Sequence, residues 1–218
     1  MVVSPSRQIY HCFVCGASGD VISFVQHHLN TTFIEALRWC ATQAGIEFPT
    51  RELTPEEVAA YKDKEAQQIA IEAAARFFQG NLGQAESFLA SRGYSLTDKA
   101  LADFGIGYAP SGNMAMTELT KAGYSLERLQ EVDILGNSEG RRYDRFRDRL
   151  MFPFYDMQGH IVGFSGRIIT SREGVGKYVN TAETPLFTKG KHIFGLYQAR
   201  QAIGKKGIVY LVEGQFEI

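Results

Sequence analysis

Apolar residues recur with a helical period in the first part of the chain and with an extended period after residue 140. The segment 21–28 predicts a helix, and Asp20 stands where its N-cap would be. Thr32 and Glu35 form a capping box that begins a second helix, which is expected to end at Gly45. The first part of the chain is therefore predicted to be helical, with clear local start and stop signals.

A longer helix is predicted over 54–79, because Thr54 and Pro55 supply an N-cap and a proline in the first turn. Its polar first half indicates a helix that bridges two domains, and its apolar end, 73–78, indicates docking on the next domain. Short helices that stop at glycines follow, and a turn is expected at 136–137. These short helices are predicted over 85–92, 97–104, 114–122 and 126–132.

A β-hairpin is predicted where two apolar runs, 150–155 and 160–169, flank a turn. Pro153 indicates an edge position or a bulge, because proline has no N–H to donate to a neighbouring strand. The small residues in 163–166 leave the returning strand bare, so that another backbone or a ligand is expected to approach Arg167 closely.

A second extended piece is predicted over 177–180, and the end of the chain predicts a helix over 196–203. Five consecutive apolar residues, 208–212, are typical of a strand buried on both faces of a parallel sheet. Glu213 follows at the carboxyl end of that strand, where α/β sheets place ligands. Because such a strand needs neighbours that do not follow it here, the chain is expected to be a truncated protein.

Composition indicates a soluble globular protein: 44% of the 218 residues are hydrophobic and 22% are charged. No apolar run is long enough for a transmembrane helix, and the amino terminus lacks the apolar centre of a signal peptide. We therefore expect a cytoplasmic protein with no membrane partner. The three cysteines fit a reducing compartment better than a disulfide framework.

Positive charge is concentrated in the segment 141–191, which contains ten Lys and Arg residues against five Asp and Glu residues in a chain of formal charge −1. Such a local excess on hairpin-like sequence suits a groove for a phosphate backbone. An ordinary solvated face is the alternative that charge alone leaves open. The nearly neutral total excludes a uniformly basic coat for DNA.

Cys12 and Cys15 form a Cys-x-x-Cys pair on a predicted tight turn, which would be half of a tetrahedral zinc site. A redox pair and two buried thiols are the alternatives. His27, His28 and Cys40 lack a partner at ligand spacing, so packing or solvent exposure is favoured for all three.

Six motifs in this order resemble the DnaG-type bacterial DNA primases, which make short RNA primers on single-stranded template. The first resembles the second half of that family's zinc ribbon, the last resembles the first acidic motif of its Toprim fold, and the others resemble motifs of its polymerase core. The motifs are 10–20 (YHCFVCGASGD), 104–110 (FGIGYAP), 143–153 (YDRFRDRLMFP), 163–167 (GFSGR), 177–184 with 187–190 (KYVNTAET, FTKG) and 211–214 (LVEG).

The resemblance implies an α+β fold made of four parts. These are a partial zinc ribbon of the CHC2 type (1–30), a helical linker (31–66), the mixed α/β N-terminal subdomain of the primase catalytic core (67–192) and the start of a Toprim α/β sheet (193–218). It also implies a nucleotidyltransferase, a DNA-directed RNA polymerase that works in DNA replication. The isolated chain is expected to be inactive.

The resemblance also implies site residues, cofactors and partners. Glu213 and Glu217 are expected to be catalytic, with Mg²⁺ or Mn²⁺ as the cofactor. Glu213 is expected to act either as a ligand of that metal or as a general base. Cys12 and Cys15 match zinc ligands. Single-stranded DNA, ribonucleoside triphosphates and a replicative helicase are the implied partners. The residues expected to line the template and nucleotide groove are Arg145, Arg147, Arg149, Arg167, Lys177, Asn180 and Lys189.

The chain departs from the family pattern at three places. The upstream Cys-x-x-His pair is absent, which argues against a tetrahedral zinc site in this chain. Ser165 replaces a usual glycine. Gln215 and Glu217 stand where the family usually has Tyr and Asp, and the later Asp-x-Asp motif is absent.

Three other functions are compatible with the sequence. A fragment that binds single-stranded DNA without catalysis is the main alternative to a primase, and part of a primase–helicase fusion is another. A topoisomerase also carries a Toprim Glu, but the hairpin and zinc motifs do not favour it.

Overall fold

The computed structural model describes residues 1–5, 8–12, 14, 17–29, 31–47, 54–170 and 173–216. The chain divides into two compact units, Met1–Thr54 (unit 1) and Pro55–Ile218 (unit 2). The boundary lies at the start of the long predicted helix, inside the segment 31–66 that was expected to link domains. The finer four-part division stays a prediction.

Unit 1 contains a small antiparallel sheet and two helices. Tyr10, Val25 and Ala36 are its buried apolar residues among those described, and the central strand contributes the first of them. The elements are β1 (Val2–Ser4), β2 (Ile9–His11), β3 (Ser18–Asp20), α1 (Val21–Leu29) and α2 (Phe33–Gln43), with β2 between the other two strands.

The helices of unit 1 begin where the capping signals predict. Asp20 accepts a hydrogen bond through Oδ1 from the backbone N–H of Ser23 at 2.8 Å. Thr32 and Glu35 each accept a bond from the other's backbone N–H, which completes the predicted capping box. These bonds satisfy N–H groups that the first turn of a helix leaves unpaired, so local sequence sets the start of both helices.

Unit 2 is built on one long helix, α3 (Pro55–Gly80). Its exposed first half is rich in charged residues, whereas the buried residues begin at Gln67, so the predicted docking of the apolar end is confirmed. Alanines dominate this buried face, and their small side chains let other elements approach the helix closely. The buried residues are Gln67, Ala70, Ile71, Ala73, Ala74, Ala75 and Phe78.

The helices predicted after α3 are present, and each is shorter than its sequence pattern. The turn expected at 136–137 is wrong, because these residues lie in a strand, and the turn occurs at Glu139 and Gly140, both with positive φ. The elements are a 3-10 helix (Leu82–Ala85), α4 (Glu86–Ala90), α5 (Lys99–Asp103), β4 (Gly107–Ala109), α6 (Met114–Lys121), α7 (Leu126–Glu131) and the paired strands β5 (Leu135–Ser138) and β6 (Arg141–Asp144).

The main sheet of unit 2 has four strands, and its centre is the predicted hairpin. The strand order is β4-β7-β8-β9, and every neighbouring pair is antiparallel. The new strands are β7 (Arg149–Tyr155), β8 (Ile161–Ile168) and β9 (Tyr178–Asn180).

Pro153 lies in a strand that has neighbours on both sides, yet its missing N–H is not needed. On one side β4 pairs with β7 only as far as Met151. On the other side Pro153 lies opposite Phe164, whose backbone N–H and carbonyl both bond to Thr181 instead. The register shifts between Phe154 and Tyr155, one residue beyond the proline. The sequence-based expectation of an edge or a bulge is therefore met locally, within a central strand.

Apolar clusters cover both faces of the sheet. On the face toward α3, the ring of Phe164 meets that of Phe78 edge-on, with centroids 5.4 Å apart. On the other face, Leu150 and Phe152 of β7 pack with Leu89 of α4, whereas Met151 between them belongs to the cluster on the α3 side. Alternate residues of β7 thus enter different clusters, as the period of a strand requires.

The contact between β4 and α3 leaves no room for a side chain at Gly107. A Cβ there would lie 2.6 Å from the carbonyl carbon of Phe78 and 2.7 Å from the backbone nitrogen of Gln79. We expect Gly107→Ala to lower the free energy of unfolding by about 1–3 kcal/mol, because strand and helix must separate. Urea unfolding measures this. Gly83→Ala is the matched control, since nothing lies within 4 Å of its added Cβ, and equal losses in both variants would contradict the close contact.

The expected strand over 208–212 is a prediction that the structure contradicts. The predicted helix before it is present as α8 (Leu196–Lys206). The five apolar residues that follow form no strand, and their exposure ranges from 46% for Val212 to 86% for Tyr210. Among the described residues no strand pairs with this run, so its backbone groups lack the partners that a buried strand requires.

None of the described helices is both long enough and apolar enough to span a lipid bilayer.

Candidate nucleic-acid interface

Arg167 of β8 lies at the centre of an aromatic site. It is 7% exposed, and its guanidinium carbon lies 4.7 Å from the ring centroid of Phe216, 5.4 Å from that of Phe88 and 5.7 Å from that of Tyr178. Aromatic faces attract cations, so α4, β9 and the segment after α8 together fix the guanidinium. We call these four residues the Arg167 site.

The charge of Arg167 has no carboxylate partner among the described residues. Its one side-chain hydrogen bond there is a long contact of 3.5 Å with the hydroxyl of Tyr178. A buried charge is costly unless it is paired, and aromatic rings compensate only part of that cost. The Arg167 site is therefore suited to bind an anion, and the planar guanidinium matches a phosphate or carboxylate group.

Two residues that the sequence did not single out for this site, Gln215 and Phe216, hold the end of the chain against β8. The Gln215 amide donates to Ser165 Oγ at 3.1 Å. The ring of Phe216 meets that of Phe152 at 5.4 Å, and its carbonyl accepts a bond from the Tyr94 hydroxyl at 3.4 Å. An aromatic residue shortly after Glu-Gly was the available signal, but no periodicity relates it to β8.

The expectation that small residues leave β8 bare is wrong. Ser165 is wholly buried. A Cβ on Gly163 would lie 2.9 Å from the ring of Phe187, and one on Gly166 would lie 2.8 Å from the ring of Phe146. The protein's own aromatic side chains fill the space beside these glycines, so no ligand approaches the strand there.

Arg149 makes hydrogen bonds within the fold, and its assignment to the template and nucleotide groove stays a prediction. It is 5% exposed, and its guanidinium donates to the carbonyls of Gly166 at 2.9 Å, Gly176 at 3.1 Å and Lys177 at 3.3 Å. Burial lowers the pKa of Arg149, and the nearby charge of Asp148 opposes this effect. Arg149 thus holds β8 to the segment that enters β9.

The other two arginines of the 143–153 motif are more accessible. Arg147 is exposed and lies over the ring of Tyr143 at 5.2 Å. Arg145 is partly buried, and its Nε lies 3.4 Å from a carboxylate oxygen of Asp133. Both therefore have charge available to a ligand, in contrast to Arg149.

Asp144, between these arginines, sets the start of α6. Its two carboxylate oxygens accept the backbone N–H groups of Ala115 at 2.8 Å and Met116 at 2.9 Å. Burial raises the pKa of Asp144, and the two N–H bonds work in the opposite direction. Asp144, which lies among the arginines of this motif, thus caps the helix α6. Its sequence neighbours gave no indication of this role.

Lys177, Asn180 and Lys189 are exposed. The first two flank the Arg167 site, because Arg167 pairs with Tyr178 and Ser165 pairs with Asn180 across β8 and β9. The backbone N–H of Lys189 donates to Glu183 Oε1 at 2.8 Å, which orders the following loop. The structure therefore places Arg167 and Asn180 on neighbouring strands, and Lys177 directly precedes β9.

Glu213 is exposed and lies outside any strand. Shortly after Glu213 in the sequence, Gln215 contacts Ser165 and Phe216 contacts Arg167. The backbone therefore connects Glu213 to the Arg167 site. Glu217, the second expected acid, lies outside the described residues. Among the described residues, no group of three or more His, Cys, Asp or Glu is placed to hold a metal ion.

In unit 1, Cys12 is partly exposed, and its backbone N–H donates to the carbonyl of Ala17 at 2.8 Å, which closes a turn. Cys15 lies outside the described residues. The Nδ1 atom of His27 lies 3.1 Å from the Tyr10 hydroxyl, and the His28 ring stacks on Phe24. The two histidines thus have packing partners.

Two family models match this chain. The model described as DNA primase catalytic core, N-terminal domain, matches residues 74–200, and the CHC2 zinc finger model matches residues 1–56. A DNA primase from Halalkalibacterium halodurans is 39% identical over 223 residues, which cover 99% of this chain and 37% of that protein. The chain thus spans little more than a third of that relative.

Solved structures agree with these matches. The Aquifex aeolicus primase, solved as its zinc-binding and RNA polymerase domains, is 32% identical with a TM-score of 0.64, over 99% of this chain and 51% of that one. A DnaG primase catalytic domain bound to single-stranded DNA is 31% identical with a TM-score of 0.58, over 66% of this chain and 46% of that one. The α+β fold, with a zinc-ribbon-like first unit and a primase core, is therefore confirmed, and the chain belongs to the DnaG-type DNA primase family.

Proposed function

We propose that this chain works as part of a DNA primase, a nucleotidyltransferase that makes short RNA primers on single-stranded DNA during replication. Within it, the Arg167 site holds a phosphate group of the template or of the incoming ribonucleoside triphosphate. The observation that carries the proposal is the buried guanidinium of Arg167, which has three aromatic neighbours and no described carboxylate partner. A similar catalytic domain has been solved with single-stranded DNA bound.

Primer synthesis requires that a 3′-hydroxyl attack the α-phosphorus of a triphosphate while pyrophosphate leaves. Mg²⁺ or Mn²⁺, when bound by carboxylates, stabilises the oxygens that gain charge. The role of this chain's cationic side chains is to bind and orient phosphate. Arg167 supplies a fixed fork of donors, and the exposed Lys177 supplies a mobile point charge.

The remaining roles belong to the same proposal. Glu213 and Glu217 would be the acids of the catalytic centre, and Cys12 with Cys15 would contribute to a zinc site in unit 1. A replicative helicase would be the protein partner. The matches to a primase core and to a CHC2 zinc finger support these assignments.

A single-stranded DNA-binding function without catalysis is the second candidate. It is favoured by the exposure of Glu213 outside any strand and by the absence of a metal-binding cluster among the described residues. Under this proposal the chain contributes the phosphate-binding part of a primase, and the catalytic centre is incomplete in it.

Fluorescence anisotropy of a labelled single-stranded oligonucleotide, titrated with the 218-residue chain at several salt concentrations, tests phosphate binding. We expect a plot of the logarithm of the association constant against the logarithm of the salt concentration to have a slope of about −2. About three cationic side chains are expected to contact phosphate, and each contributes about −0.7 to the slope. A slope near zero would overturn the proposed function. A primer-synthesis assay with Mg²⁺ and four ribonucleotides separates the two candidates: synthesis by the chain alone would eliminate the second one.

A further inference from the structure

The residue that follows helix α7 is unusual within this protein. Five helices, α2, α4, α5, α6 and α8, are each followed closely by a glycine with positive φ. After α7 that left-handed position is occupied by Asp133, with φ 56°. Glycine adopts this conformation without strain, whereas another residue pays roughly 1 kcal/mol or more. An interaction of the Asp133 side chain is therefore expected to compensate for this strain.

The backbone around Asp133 is an ordinary helix terminus. The N–H of Asp133 donates to the carbonyl of Gln130 at 3.0 Å, and the N–H of Ile134 donates to that of Leu129 at 2.9 Å. Both bonds use main-chain atoms alone, so a glycine would make them equally well. The local structure thus gives no reason for a carboxylate at this position.

The contacts of the carboxylate explain why an aspartate occupies this position. Oδ2 of Asp133 accepts the backbone N–H of Ala182 at 2.7 Å and lies 3.4 Å from Nε of Arg145. The backbone N–H of Arg145 also donates to the carbonyl of Ile134, at 2.9 Å. One oxygen therefore joins two segments in which the sequence predicts phosphate-binding residues.

The Asp133 carboxylate engages Arg145 through Nε and leaves the rest of the guanidinium available. Among the described residues, the two terminal nitrogens of Arg145 have no hydrogen-bond partner.

We propose that Asp133 is a positioning residue for nucleic-acid binding: it orients Arg145, and the loop that begins at Ala182, toward one stretch of phosphate backbone. The loop continues through Glu183, whose carboxylate holds the backbone of Lys189. Arg145 and Lys189 then present their charges from two segments that Asp133 fixes relative to each other. This inference rests on the proposed function, because it assumes that these cations bind phosphate.

The substitution Asp133→Gly separates this role from a structural one. Glycine relieves the strain at the left-handed position and removes both contacts of the carboxylate, so we expect a thermal midpoint within a few degrees of that of the unsubstituted chain. The association constant for a labelled single-stranded oligonucleotide is expected to fall about 3- to 10-fold, with a salt slope shallower by about 0.7. Unchanged affinity and slope would overturn the inference.

Two further variants keep the test decisive. Asp133→Asn retains an acceptor for the N–H of Ala182 but loses the charge beside Arg145. We expect it to make the salt slope shallower, as Asp133→Gly does. Glu139→Gly is the matched control, because Glu139 is an exposed residue with φ 52° in the turn between β5 and β6. It should leave binding unchanged, and an equal loss in this control would contradict a specific role for Asp133.

A double-mutant cycle with Arg145→Gln distinguishes failure of this inference from failure of the proposed function. If Asp133 acts through Arg145, Asp133→Gly should have little further effect in the Arg145→Gln background. A loss there as large as in the unsubstituted chain would show that Asp133 does not act on Arg145, and it would overturn the inference. The loop that begins at Ala182 accounts for a small remaining loss at most. If the unsubstituted chain itself binds without salt dependence, the proposed function fails first.

Discussion

Arg149→Met is expected to lower the free energy of unfolding of unit 2 by about 3–5 kcal/mol, since bonds from a charged donor are worth about 1.5–3 kcal/mol each. The guanidinium donates to the carbonyls of Gly166, Gly176 and Lys177, and methionine can donate to none of them. Relief of the buried charge offsets part of this loss, and the carbonyl of Lys177 keeps the backbone N–H of Ile168 at 3.0 Å. Urea denaturation followed by circular dichroism measures the change.

Arg147→Met is the matched control for this experiment, two residues earlier in the same motif. Arg147 is exposed and lies over the ring of Tyr143, so its replacement should change stability by no more than about 0.5 kcal/mol. A loss in the Arg149 variant no larger than in the Arg147 variant would show that the three carbonyl bonds do not hold β8 to the entry of β9.

Arg167→Met is expected to have the opposite profile: binding is lost and stability is kept. Replacement of a buried charge by an apolar side chain of similar length is often neutral or stabilising, and the methionine can pack against Phe88, Tyr178 and Phe216. Loss of a charge-assisted contact to phosphate should weaken binding of single-stranded DNA about 10- to 100-fold, and the salt slope should become shallower by about 0.7.

Anisotropy titrations and thermal melts on the same sample check both halves of this expectation. Arg167→Lys tests the geometry, because it keeps the charge and loses the planar fork, and it should recover only part of the affinity. If Arg167→Met lowered the thermal midpoint as much as Arg149→Met and left the affinity unchanged, Arg167 would be a structural residue and the Arg167 site would lose its function.

Local signals in the sequence predicted much of this fold because they act over a few residues. The capping groups of Asp20 and Thr32 lie within one helical turn of the N–H groups that they satisfy. The hairpin of β7 and β8 was predictable from two apolar runs and a turn. The prediction of a buried strand over 208–212 was wrong because burial of a strand depends on partner strands, and the residues of the run do not specify these.

The roles of individual arginines could not be predicted from their order along the chain. Arg145, Arg147 and Arg149 alternate with other residues in one motif, yet one contacts Asp133, one is exposed and one is buried among carbonyls. These differences arise from residues far away in sequence. The aromatic neighbours of Arg167 likewise come from α4, β9 and the segment after α8, so no spacing pattern could identify them.

The apolar run 208–212 (IVYLV) affects how the chain behaves at high concentration. It is exposed, uncharged, free of proline and rich in β-branched and aromatic residues, which are the features of segments that stack into cross-β fibrils. Lys205 and Lys206 precede it and Glu213 follows it, and charges at such flanks oppose aggregation as gatekeepers. Wherever this run is left uncovered, these flanking charges are its protection against self-association.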